Sequence, residues 1–162
     1  MIPQRINLIL YSTLAVIICY IDRVNISVAI IPMQEQFGWS DSQVGFIFSS
    51  FYLGYMLTMA LGGYLSDKFG GKLVLGWGVV LWSIFTMLTP LAAHNGFFAL
   101  FFIRVLMGIG EGVTFPAWHS LYARWIPFNE RTRAIAFTNS GVSVGTIICL
   151  LYTSPSPRDV CS

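Results

Sequence analysis

The chain has 162 residues, of which 56% are hydrophobic, 15% aromatic and 10% charged, and its formal net charge is +2. Soluble domains carry about 25% charged residues, so this composition, with a mean hydropathy of +0.71, excludes most soluble enzymes and disordered linkers. The near-neutral charge excludes a basic nucleic-acid face, and at about 20 residues per crossing the length admits five or six membrane-spanning helices.

The first apolar stretch runs over residues 6–32 and is interrupted by Asp22, Arg23 and Asn25. It runs straight into Asp22-Arg23 without a small-residue cleavage site, so it reads as a retained helix rather than a signal peptide. Cys19 within it is a packing residue. Ser40-Asp41-Ser42-Gln43 has the spacing of a capping box and starts the second stretch, residues 44–65. The third covers residues 73–93. Pro90 and His94-Asn95-Gly96 mark a tight turn before the fourth, residues 97–121, which carries Arg104 and Glu111. The fifth covers residues 134–148. Each stretch can cross about 30 Å of hydrocarbon at 1.5 Å per residue. Backbone groups in lipid must be satisfied internally, so all five are expected to be helices.

From Cys149 the pattern changes. CLLYTSPSPRDVCS has two prolines and no periodicity. Back-translated, its first eleven residues resemble the end sequence of a sequencing-library adapter, so residues 149–162, including Cys161, are expected to be non-native.

The cations divide by side. Arg5, Lys68, Lys72, Arg124, Arg131 and Arg133 precede the first helix or fall between helices two and three and between four and five. The alternate loops, around residues 35–41 and 94–96, contain no Lys or Arg. This bias puts the N-terminus in the cytoplasm of a multi-pass membrane protein. Trp39, Trp118 and Trp125 are expected at the membrane interfaces, as are His94 and His119. No spacing of His and Cys suits a metal.

A charge inside a span costs about 2.5–3.5 kcal/mol on insertion scales and is a functional candidate by default. Asp22, Arg23, Arg104 and Glu111 are such charges, and they sum to zero. Arg104 and Glu111 are two helical turns apart, so they share a face at a separation of about 10 Å. Asp22 and Arg23 are adjacent and point about 100° apart. A guanidinium suits bidentate recognition of a carboxylate or phosphate. Burial disfavours the ionised form of a carboxyl group, which makes Asp22 and Glu111 the candidates for carrying a coupling proton. Mutual neutralisation of the four is the competing structural explanation. Gly108 with Gly112, and Gly141 with Gly145, are small-residue pairs suited to close helix packing. No nucleophile–base pair appears, which argues against an intramembrane enzyme.

Between the second and third stretches stands Gly63-Tyr64-Leu65-Ser66-Asp67-Lys68-Phe69-Gly70-Gly71-Lys72, a glycine-broken turn with a carboxylate among cations. GYLSDKFGGK resembles the signature loop of the major facilitator superfamily. CYIDRVNISVAIIPM and RVLMGIGEGVTFPA resemble its anion–cation symporter branch, which includes sialin, vesicular glutamate transporters, sodium–phosphate cotransporters and plant-type plastid anion transporters. GGKLVLGWGVVLWSIFTMLTPLAA is most similar to the plant-type members. The resemblance covers about residues 10–147.

The resemblance implies an all-α membrane fold of twelve helices in two halves that alternate access to a central cavity. This chain would supply about five helices of the N-terminal half. By motif match Arg23 would be the anion-binding arginine and Arg104 its helix-four partner at the substrate site. Tyr55 would line the cavity, and Glu111 with Asp22 would be protonated. Gly63, Asp67, Lys68, Gly70 and Lys72 would belong to the cytoplasmic gate. Vesicular glutamate transporters carry a histidine where this chain has Phe48, which counts against glutamate. The implied function is secondary transport of an organic or inorganic anion, coupled to H⁺ or Na⁺, with no cofactor. Its partners are the small anion, the bilayer and a C-terminal half beyond this chain. A facilitator for a sugar or drug, or a non-transporting sensor or assembly subunit, remains the alternative. The membrane, whether plasma, plastid or endolysosomal, is left open.

Overall fold

With no water in the bilayer to take up backbone hydrogen bonds, a chain this apolar closes them within helices. The computed structural model describes residues 4–153, and these form α1 (Gln4–Phe37), α2 (Asp41–Phe69), α3 (Gly71–Asn95), α4 (Phe97–Gly112), α5 (Thr114–Trp125) and α6 (Phe128–Thr153). No strand occurs among the described residues. Five helical segments are long and apolar enough to cross a membrane, with α4 and α5 together forming one of them, Phe97–Trp125. Side chains such as Met87 (83% exposed) and Phe98 (75%) face outward, as lipid contact requires.

The helix ends follow local chemistry. Ser40 caps α2: its Oγ accepts from the Gln43 amide at 3.4 Å, and its own amide donates to Gln43 Oε1 at 2.9 Å. The capping box forms as its spacing predicts. Gly70 joins α2 to α3 in a single residue at φ +89°, a conformation costly for any side chain with a Cβ.

Two prolines depart from the sequence expectation. Pro32 closes the first apolar stretch but lies inside α1, which continues to Phe37. Pro90, expected to mark the turn along with His94-Asn95-Gly96, lies inside α3; the turn falls at Gly96, at φ +111°, at the end of the expected segment. Each proline removes one ladder bond, and membrane helices tolerate this because hydroxyl side chains and neighbouring helices take up freed backbone groups. The carbonyl that Pro90 frees is that of Thr86, one turn earlier. The fourth stretch is a single span in length but is broken at Val113. Pro116 has no amide for the Gly112 carbonyl, and three glycines (Gly108, Gly110 and Gly112) precede the break.

The chain divides into two compact units. One joins α1 up to Pro32 with α6 from Arg133; the other is Met33–Thr132. In the first, α6 packs its glycines on α1: a Cβ at Gly145 would lie 2.7 Å from the Ile17 carbonyl oxygen, and one at Gly141 3.2 Å from that of Thr13. Thr13 Oγ1 donates to the Ile9 carbonyl at 2.7 Å and lies 3.5 Å from Thr138 Oγ1. Cys19 and Cys149 are buried thiols, and α6 continues through Cys149 to Thr153. Cys161 and the rest of residues 154–162 lie outside the described residues.

In the second unit, α4 is the central element, gripped by α2 and α3. A Cβ at Gly54 would collide with the Val105 carbonyl, and one at Gly108 with that of Phe51. At Gly78 it would fall 2.6 Å from Val113 Cγ2. Without hydrophobic driving force between helices in lipid, such close backbone approach supplies the association through dispersion contacts. Trp118 belongs to this interior. It is 1% exposed, with its ring 3.7 Å from that of His119 and 5.1 Å from that of Tyr122, so it is not an interface anchor. Sequence position near a span end suggested otherwise. Trp125, at 57% exposed, remains outward.

Candidate functional site

The candidate residues fall into three groups. The first lies on the α2–α4 seam. Phe51, Tyr55 and Thr58 follow one another at helical spacing on α2, and Arg104, Gly108, Glu111 and Gly112 do so on α4. Because Gly108 and Gly112 have no side chains, the Phe51–Tyr55 turn lies directly on α4: a Cβ at Gly112 would be 2.7 Å from the Tyr55 carbonyl oxygen. This close approach brings Tyr55, Arg104 and Glu111 into one neighbourhood.

Arg104 is 3% exposed and Glu111 1%. The Arg104 guanidinium sits over the Phe51 ring, 5.1 Å from its centroid, and its Nη1 donates to the Met107 sulfur at 3.3 Å. The Thr86 hydroxyl reaches the same sulfur at 3.9 Å. Phe51 also stacks on Tyr55, with centroids 5.9 Å apart and planes 26° apart. One phenyl ring thus holds both a cation and a phenol in place. A cation over an aromatic face gains about 2 kcal/mol or more when desolvated. Phe51 and Met107 were not legible as site residues, since nothing about an apolar side chain in an apolar helix marks it as the seat of a charge.

The second group is Asp22 and Arg23 on α1. Both are half-buried, and the Arg23 guanidinium lies 5.0 Å from the centroid of the Tyr20 ring three residues earlier. Asp22, Arg23, Arg104 and Glu111 all engage partners, so none is an idle buried charge. Asp22 and Arg23 belong to the unit formed by α1 and α6; Tyr55, Arg104 and Glu111 belong to the other.

The third group is the α2–α3 loop. Asp67 is tied to α5: its carboxylate accepts from Ser120 Oγ at 3.5 Å, and its carbonyl accepts from Arg124 Nη2 at 3.2 Å. Gly71 is buried against Ala117 and Leu121 of α5. Gly63 is half-buried, while Lys68 and Lys72 are exposed. Phe48, half-buried on α2, lies one turn before Tyr52. No group of three or more His, Cys, Asp or Glu able to hold a metal occurs among the described residues.

Residues 12–154 match the family model of the Major Facilitator Superfamily. Over 151 residues the chain is 48% identical to "Probable anion transporter 4, chloroplastic" of Oryza sativa subsp. japonica, covering 93% of this chain and 26% of that protein. It is 46% identical to "Ascorbate transporter, chloroplastic" of Arabidopsis thaliana, covering 93% of this chain and 28% of the relative. Among solved structures it is similar to a bacterial homolog to human lysosomal transporter, Spinster, in an inward-facing and occupied conformation. The TM-score is 0.86 at 30% identity, over 94% of this chain and 33% of that one. The chain therefore spans roughly a quarter to a third of the length of the proteins it matches.

Proposed function

Because the chain belongs to the Major Facilitator Superfamily, we propose that it supplies the first helices of a secondary transporter for a small organic or inorganic anion. The observation that carries the reading is the α2–α4 seam, where an arginine and a glutamate, both under 5% exposed, occupy an otherwise apolar span. Two buried charges at about 2.5–3.5 kcal/mol each are costly to keep for packing alone. The anion transporter and ascorbate transporter names of the relatives point to the same substrate charge.

In this reading Arg23 binds the anion, and Arg104 and Tyr55 are further substrate-binding residues. Protonation of Glu111 or Asp22 biases the equilibrium between outward-open and inward-open states; a Na⁺ ion in the same role is the alternative coupling. A ligand shifts such an equilibrium only by its differential affinity for the two states, and a buried carboxyl group that is neutral in one state and ionised in the other supplies that difference. Gly63, Asp67, Lys68, Gly70 and Lys72 form a gate that closes against the remainder of the transporter. The loop cations support placing the N-terminus on the cytoplasmic side, and the chloroplast names of the relatives favour a plastid membrane. Such a carrier moves its substrate without breaking a bond in it.

The test is uptake of radiolabelled anions by the full-length protein in proteoliposomes, with and without a pH gradient. Arg23→Ala is expected to abolish uptake while leaving the protein folded. Glu111→Gln is expected to remove the dependence on the gradient but not exchange of anion for anion. Normal uptake by Arg23→Ala refutes the substrate assignment, and intact gradient dependence in Glu111→Gln moves coupling to Asp22 or to Na⁺. Transport of uncharged sugars without competition from anions refutes the anion reading itself.

A further inference from the structure

A groove of about 740 Å³ runs along the outer face of α3, lined by Phe69, Lys72, Leu73, Gly76, Trp77 and Val80, together with Gly70 of the turn. It adjoins a second recess of about 320 Å³ between α2, α3 and α4, with which it shares Phe69, Leu73 and Trp77. Its depth comes from Gly76, where a Cβ would meet nothing within 4 Å. Its wall is the Trp77 indole, 62% exposed. The groove is apolar through the span and cationic at one end. Lys72 lines that end, and Lys68 Nζ lies 5.5 Å from the centroid of the Phe69 ring beside it.

The charge at this mouth is not cancelled. The loop's own carboxylate, Asp67, is held by Ser120 of α5, while Arg124 of α5 binds the Asp67 carbonyl. Both lysines are exposed, and no ion pair joins either of them to an acid among the described residues. An apolar trough that ends in two cations at the edge of a membrane span is complementary to an amphiphile with an anionic head.

We propose that this groove is a binding site for an anionic phospholipid of the leaflet that borders the α2–α3 loop. An acyl chain lies over Gly76 against Trp77, and the phosphate meets Lys72 and Lys68. Each cation near an anionic membrane surface contributes about 1 kcal/mol, or about a fivefold preference.

Trp77 is the reporter. The full-length protein is placed in phosphatidylcholine vesicles containing brominated phosphatidylglycerol or, at equal mole fraction, brominated phosphatidylcholine. The Trp77 signal is obtained as the difference from Trp77→Phe. Phosphatidylglycerol is expected to quench Trp77 at about 25-fold lower mole fraction than phosphatidylcholine, and Lys72→Gln to reduce that preference to about fivefold. Lys68→Gln/Lys72→Gln is expected to abolish it. Gly76→Leu, whose Cβ enters open space, is expected to fill the groove and remove the preference without lowering the melting temperature. Equal quenching by the two lipids overturns the proposal, as does a preference that survives loss of both lysines. Trp77 shielded from both lipids also overturns it, because a protein segment then occupies the groove.

Discussion

Gly76 and Gly78 stand two residues apart on α3 and face opposite environments. Replacing either with alanine removes the same backbone entropy from the unfolded chain, worth about 0.5–1 kcal/mol in favour of the helix. At Gly76 the new methyl enters open space, so the variant keeps that gain. At Gly78 the methyl falls 2.6 Å from Val113 Cγ2 and 2.9 Å from the Gly110 carbonyl oxygen. Ordinary carbon–carbon contact begins near 3.5 Å, so the methyl must displace the Val113 side chain by about 0.9 Å and also press on the α4 backbone at Gly110. Overpacking of that size costs about 1–3 kcal/mol. The propensity term cancels between the two variants, leaving Gly78→Ala about 1–3 kcal/mol less stable than Gly76→Ala. For a chain of this length 1 kcal/mol moves the melting temperature by about 2–4 °C. Thermal unfolding in detergent, followed by tryptophan fluorescence, should separate the pair by several degrees with Gly76→Ala the higher. Equal melting temperatures, or a more stable Gly78→Ala, would show that α3 does not lie on α4 at Gly110–Val113.

Three further outcomes are expected. Ser40→Ala removes the α2 cap and should cost about 1 kcal/mol, while Ser40→Asp restores it; chemical denaturation of the three proteins measures the difference. Gly70→Ala forces a Cβ into φ +89° and should destabilise by about 1–2 kcal/mol, with Gly70→Asn milder, read by the same assay. Phe51→Leu removes the ring beneath Arg104 and beside Tyr55. A double-mutant cycle with Arg104→Gln should return a coupling of about 0.5–2 kcal/mol, and additive losses would refute the contact.

How much of this was legible depends on what each feature's physics refers to. The five crossings follow from composition and apolar run length, because the bilayer imposes a local requirement on every segment. The α2 cap follows from Ser40 and Gln43 alone, since its bonds close within one turn. The four membrane-embedded charges stand out because the solvent that would hide them is absent. The break of the fourth span at Val113 was less legible, although Pro116 and the glycines before it are visible in the sequence. A proline in a membrane helix can kink, break or pass unnoticed, as Pro32 and Pro90 do inside α1 and α3. Which outcome holds depends on surroundings that lie outside the segment itself.

The sequence by itself determined that this chain crosses a membrane, where its crossings lie, and that Asp22, Arg23, Arg104 and Glu111 are its costly residues. Only the tertiary structure decided what those residues touch. Arg104 rests on Phe51 and Met107, and Tyr55 lies on α4 because Gly108 and Gly112 yield their space to the α2 backbone. Trp118 turns inward, and Gly76 opens a groove where Gly78 closes a seam. Two glycines of one helix are identical as residues. Which of them meets a neighbour and which meets lipid is a property of how the helices pack, and no single segment contains it.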